Sequence, residues 1–232
     1  MERKQRGNRT SRRIGRVLAG LLALVLLAAG VVLYRRGLIP FLEPRTYTAA
    51  ELGIEEVRSG VDYDGDGVED YADMVQGIRD YFETKPHYES RYYAGGYPDD
   101  GCGVCTDVVW HGFAAAGYDL KGMIDADVAA ATDAYPHITR PDPNIDFRRV
   151  RTLYAFFSRH AESLTTALDD PAQWQAGDIV IFGENEHVGV CSDLRDRNGI
   201  PLLLHHGNPV DEAVERIEIP HKTVTAHFRW PG

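Results

Sequence analysis

Gly101-Cys102-Gly103-Val104-Cys105-Thr106-Asp107-Val108-Val109-Trp110 is the stretch from which the rest of the chain is read. A glycine-bearing loop runs into Val108, Val109, Phe113 and Ala116, apolar residues at the spacing of one helix face. Thr106 and Asp107 suit a first helical turn, and Gly117 suits the position just past the last. The pattern predicts a helix over 105–116 with Cys105 at its start. A helix N-terminus offers unpaired N–H groups and a partial positive charge, which ease the ionisation of a thiol. The thiolate is the nucleophilic form of cysteine, so Cys105 reads as a candidate catalytic nucleophile. The competing reading is a small buried residue at a helix start.

Downstream, 128–134 and 150–160 carry further helical patterns, joined by the turn-rich Asp142-Pro143-Asn144-Ile145-Asp146. The last third changes period. Ile179-Val180-Ile181-Phe182 is an apolar β-run, 187–192 a second strand, and Asn198-Gly199 a hairpin turn into 201–206. Residues 214–219 and 226–230 read as two more strands. Helices followed by antiparallel strands predict an α+β domain.

Cysteine catalysis needs a base beside the thiol and a third polar group that orients the base. His187 opens one strand, and His205 and His206 end its hairpin partner. Paired strands lie ~5 Å apart and successive residues face opposite ways, so only one of His205 and His206 can point towards His187. Tyr88, Tyr92, Tyr93 and Tyr97, with Gly95-Gly96 among them, crowd the approach to Cys105 and could line a substrate groove or form an amphipathic surface loop.

Further upstream, Asp62-Tyr63-Asp64-Gly65-Asp66-Gly67-Val68-Glu69-Asp70-Tyr71-Ala72-Asp73 has the spacing of a calcium loop. Asp62, Asp64, Asp66, Asp70 and Asp73 take positions one, three, five, nine and twelve. Val68 offers a carbonyl at seven, and Gly67 occupies the sharp turn at six. Asp73 stands where such loops prefer a longer Glu. The expectation is a structural calcium site, with no cofactor for catalysis. Met74, Ile78, Tyr81 and Phe82 then recur at helical spacing until Pro86.

The N-terminus is of another kind. Residues 1–16 form a basic arm, and 17–34, VLAGLLALVLLAAGVVLY, hold no charge. That run fits an uncleaved transmembrane anchor better than a signal peptide, because it continues past the small residues Ala28-Ala29-Gly30. The positive arm predicts a cytoplasmic N-terminus and an extracytoplasmic remainder. Residues 35–60 read as a stalk, 61–86 as the calcium loop and its helix, and 87–232 as the main domain. Residues 1–36 carry nine Lys/Arg and one acid, leaving 16 basic and 34 acidic residues for the rest. So acidic a body excludes binding to nucleic-acid phosphates.

Several motifs together carry a resemblance: Tyr92-Tyr93-Ala94-Gly95-Gly96, Cys105, Gly177-Asp178-Ile179-Val180, His187-Val188-Gly189-Val190 and Leu204-His205. They resemble the NlpC-like branch of the papain-like cysteine peptidases and amidases. More narrowly, GVCTDVV, NIDFRRV, FFSRH and HVGVCSD resemble the domain-of-unknown-function family 1287, over about residues 60–232. The resemblance implies a papain-like domain with helices packed on an antiparallel sheet. It implies Cys105 as nucleophile, His187 as base and His205 as orienting residue, with Tyr92 as a substrate or oxyanion contact. The superfamily commonly cleaves amide bonds in cell-wall peptides.

Two rivals concern the cysteines. Cys102, Cys105, His187 and Cys191 could make a zinc site, although strand residues four apart lie about 13 Å apart, too far to share an ion. A Cys102–Cys105 disulfide could mask the nucleophile in an oxidising compartment. A third rival keeps the fold but not the chemistry: a calcium-dependent wall-binding module in which Cys105 is unused.

Overall fold

The computed structural model describes residues 2–35, 44–207 and 212–231, with side chains for 16–33, 44–207 and 213–231. Part of the expected stalk, 36–43, lies outside the described residues. The chain forms two compact units, 1–44 and 45–232. The first holds α1 (Glu2–Arg35). Its stretch Arg16–Leu33 is long and apolar enough to cross a membrane and has no buried residue, a composition that a signal sequence shares.

The second unit begins earlier than the expected stalk allows. β1 (Tyr47–Thr48) pairs with Leu194 and Arg195, Ala49 is buried, and the Gln175 side chain bonds both Val57 N (3.2 Å) and Glu55 O (3.0 Å). Residues 45–60 are therefore part of the body, held by apolar burial and a side-chain amide that mimics a strand partner. Nor is there a boundary near residue 86. α2 (Asp70–Glu83) starts where Glu69 caps it through Ala72 N (3.2 Å) and packs along the helix that Cys105 begins. Gly77 permits that approach: a Cβ there would lie 2.1 Å from Ala115 Cβ.

After α2, β2 (His87–Tyr88) and β3 (Cys102–Gly103) make a short parallel bridge that draws the loop 89–101 against the start of α3 (Cys105–Ala115). α4 spans Leu120–Ala130, eight residues ahead of the expected start, with a 3-10 turn over 132–134. Asp119 caps it by accepting from Gly122 N (2.9 Å), a signal that the mixed Leu-Lys-Gly-Met sequence conceals. α5 occupies Val150–His160.

The sheet follows: β4 (Glu162–Ser163), β5 (Ile179–Phe182), β6 (His187–Arg195), β7 (Pro201–Gly207), β8 (Glu212–Arg216) and β9 (Val224–Arg229). Its order is β4-β9-β5-β6-β7-β8, with β1 added to β6, and every pairing in it is antiparallel. β8 ends three residues before the expected limit because Ile219-Pro220 turns into a 3-10 helix. The α+β class is thus observed.

Strand alternation divides the core. Ile179, Ile181, Val188, Val190 and Leu204 face α2, α3 and α5, where Phe113 touches Tyr118, Phe157 and Trp230. Val180, Phe182, Cys191 and Leu203 face the other way, onto Trp174 and Ile219. Buried Asp178 accepts from Arg229 (2.7 Å) and pairs with His227 (2.8 Å), locking β9 to the start of β5.

Candidate active site

Cys105 is the first residue of α3, and its side chain is 5% exposed. Burial pushes the thiol pKa up to about 11, against hydrogen bonds from the backbone of Val188, Thr106 and Cys105 itself that lower it. The helix start was expected to ease ionisation; at rest, desolvation outweighs it. The Val188 contact ties the sulfur to the backbone of β6, one residue after His187.

What holds Cys105 in place is a buried ion pair. Asp107 Oδ1 and Oδ2 accept from Arg148 Nε (2.7 Å) and Nη2 (2.9 Å), and both side chains are at most 1% exposed. Asp107 also accepts from Val104 N (2.7 Å) and Trp110 Nε1 (2.8 Å). Arg148 donates its remaining reach to Arg91 O (2.9 Å) and lies over the Tyr93 ring. The first turn of α3 is thereby clamped to the loop before it and to the segment before α5. In the sequence, Asp107 reads only as a first-turn residue and Arg148 has no assigned role. Asp107 stands in an apolar helix start, but Arg148 lies in the charge-rich stretch 146–151, and no local pattern joins the two.

His187 Nε2 and His205 Nδ1 lie 3.0 Å apart. This answers which of the two adjacent histidines faces His187. His206 points instead towards Tyr81 (3.5 Å) and stands edge-on to Tyr88. Burial lowers the His187 pKa to about 4 and that of His205 well below the usual imidazole range. Both rings are neutral at pH 7. By alternation the pair belongs to the sheet face of Val180 and Phe182, whereas Cys105 belongs to the cluster on the α3 face. The β6–β7 ladder registers Val190 with Leu204 and no pair nearer His187. At rest, thiol and imidazole are two neutral half-sites, the one on α3 against Val188 and the other on His187 of β6, with no hydrogen bond between them among the described residues.

Other candidates fall differently. Tyr92 is 60% exposed, and its hydroxyl bonds Asp142 (3.1 Å) and Asn144 (3.0 Å) rather than anything at Cys105. The tyrosine coupled to Cys105 is Tyr88, whose pKa is raised by burial and then by Cys105 when that thiol is ionised. All three cysteines are free. Cys191 is fully buried in the cluster on the far face, so the zinc set is not assembled.

In the acidic loop, Asp62, Asp64 and Asp66 are exposed and can bring one oxygen each within 4.8 Å of one another. Gly67 turns at φ +97°, and its N–H and that of Gly65 both reach Asp62 (2.9 and 2.8 Å). Asp73 Oδ2 is buried with no partner, and burial and then the loop aspartates raise its pKa to about 6. Val68 lies exposed on the same turn. Asp70 departs from the expected set: its oxygens take Tyr63 N (2.9 Å) and the Tyr118 hydroxyl (2.5 Å), so it is spent on packing.

The profile of a family described as "Domain of unknown function (DUF1287)" matches residues 75–230. A relative described as "Uncharacterized protein YijF", from Escherichia coli (strain K12), is 39% identical over 127 residues. The match covers 52% of this chain and 62% of the relative, less than two thirds of its length. No solved structure matches the chain.

Proposed function

This chain belongs to the DUF1287 family, and from that premise we propose that it is a membrane-anchored, extracytoplasmic cysteine hydrolase. It cleaves amide bonds in cell-wall peptides through Cys105, His187 and His205 on a papain-like, NlpC-like arrangement. The observation that carries the reading is Cys105 at a helix start, bonded to Val188 beside a 3.0 Å imidazole pair. With His187 Nε2 against His205, Nδ1 is the nitrogen left for the thiol.

Because thiol and imidazole are neutral, the proton moves during attack rather than before it. The His187 ring must first turn round the end of β6 towards Val188; the Cys105 S–H proton then passes to His187 Nδ1 as sulfur bonds to the carbonyl carbon, and the C=O electron pair moves onto oxygen. N–H groups at the start of α3 face that oxyanion, a kind of contribution worth roughly 3–4 kcal/mol per donor. Collapse breaks the C–N bond, and His187 gives its proton to the leaving amine. A water, deprotonated by His187, then splits the thioester and returns Cys105 to the thiol. His205 holds the ring in the tautomer that this requires.

α1 supplies the anchor, with the basic arm in the cytoplasm. Asp62, Asp64, Asp66, the Val68 carbonyl and Asp73 hold calcium, which ties the loop to the start of α2. The partnerless Asp73 oxygen supports this reading. Asp70 belongs to the packing instead.

One observation favours the wall-binding alternative, namely the raised thiol pKa. Mass spectrometry of purified wall peptides incubated with the full chain separates the two. New fragments that gain one water, absent with Cys105→Ala, support the hydrolase. Peptides retained intact by both proteins support the binding module.

A further inference from the structure

The body beyond residue 36 is acidic, with 16 basic against 34 acidic residues, yet Arg140, Arg148, Arg149 and Arg151 fall within twelve consecutive positions. Arg148 is consumed by Asp107. The other three face solvent around two hollows of about 500 and 330 Å³ that share His137 and Arg149. Arg140 lines the larger, and Arg151 and Asn185 line the smaller. Among the described residues neither Arg140 nor Arg151 pairs with an acid, and Arg149 reaches Asp146 only at 3.7 Å. Asp142, also on the larger hollow, has its carboxylate turned to Tyr92 and Asn144. His137 is held by Thr152 (3.0 Å), and Arg149 and Arg151 add to the burial that lowers its pKa, so their positive fields converge there.

Asn185 connects this patch to the chemistry. It stands two residues before His187, in a left-handed conformation (φ 61°), with its Oδ1 buried and without a partner. An unused acceptor beside unpaired Arg151 and loosely held Arg149 suits a ligand that carries both an N–H and an oxyanion. We propose that this groove is a subsite for a peptide bearing a free carboxylate. Arg149 and Arg151 take the carboxylate, Asn185 accepts a peptide N–H, and the chain is thereby led towards His187. The inference deepens the peptide-hydrolase reading and rests on it for calling the ligand a substrate; the binding itself does not require turnover.

The test uses the full chain as Cys105→Ala in detergent and fluorescence polarisation of labelled peptides. The peptides are Ala-Glu-Ala, its fully amidated counterpart Ala-Gln-Ala-amide, and the two singly charged forms. Ala-Glu-Ala is expected to bind at least about tenfold more tightly than the neutral peptide. The singly charged forms tell whether the side-chain or terminal carboxylate is held. Arg149→Gln/Arg151→Gln, checked for an unchanged melting temperature, is expected to abolish the preference. Arg197→Gln, an exposed arginine elsewhere, retains it. Equal affinity for charged and neutral peptides, or a preference that survives the double substitution, overturns the proposal. A groove blind to charge leaves hydrolysis by Cys105 standing, and hydrolysis by Cys105→Ala leaves the binding result standing.

Discussion

Replacing Arg148 with Met should damage stability and the thiol together. The substitution keeps most of the aliphatic volume but removes both guanidinium bonds to Asp107, at 2.7 and 2.9 Å, and the bond to Arg91 O. Asp107 then keeps only Val104 N and Trp110 Nε1 as donors and remains a fully buried charge. Removing one partner of a buried pair costs ~3–5 kcal/mol because the other is left uncompensated. For a body of this size that is a fall in melting temperature on the order of 10 °C. Asp107 already raises the Cys105 pKa, so losing its counter-charge raises the pKa further and slows alkylation of Cys105. The assay is urea unfolding of the full chain in detergent, run alongside iodoacetamide labelling. Arg148→Lys should fall between, since a point charge cannot fill both oxygens of the carboxylate. Asp107→Asn/Arg148→Met should recover at least about 1 kcal/mol relative to the sum of the singles. A cost below about 1 kcal/mol for Arg148→Met, with unchanged labelling, refutes the clamp.

Stability should be level above about pH 6.5 and fall as the pH drops from there to about 4. Burial holds His187 and His111 neutral down to about pH 4, whereas unfolded imidazoles take up protons near 6.5, so each contributes up to about 3 kcal/mol to that loss. Urea midpoints at pH 7.5, 6 and 5 check this, and equal midpoints contradict it. Calcium is expected to raise the melting temperature by several degrees, an effect that Asp64→Ala or Asp73→Asn removes; the absence of a shift in millimolar calcium rejects the loop as an ion site. Iodoacetamide should label Cys105 roughly ten times faster than fully buried Cys191. Equal slow labelling of both speaks for an unused thiol.

Local patterns carried a good part of this architecture. α5 and β5 have the expected ends because each is bounded by turn residues and has an unbroken period. Cys105 at the start of α3 was legible for the same reason. α4 begins ahead of its visible periodicity because its opening turn contains Gly122 and its cap, Asp119, resembles any surface acid. β1 and β4 are two residues long and exist only through their partners, Leu194–Arg195 and Phe228–Arg229. The site divides likewise. Alternation says that only one of His205 and His206 can meet His187, and it took the Leu204-His205 motif of the family resemblance, not alternation, to single out His205. The Asp107–Arg148 clamp spans 41 residues of sequence, and no local pattern announces it. The thiol pKa was expected to move down because the helix end is visible in sequence, whereas the burial that moves it up is a property of the packed chain.

Acid-quenched mass spectrometry of the full chain mixed with cell-wall peptides addresses the central claim most directly. The account predicts a transient acyl adduct, mapped by proteolysis to a thioester at Cys105. The adduct is absent from Cys105→Ala and does not form at Cys102 or Cys191. Peptide cleavage without any adduct at Cys105, or cleavage undiminished in Cys105→Ala, contradicts it.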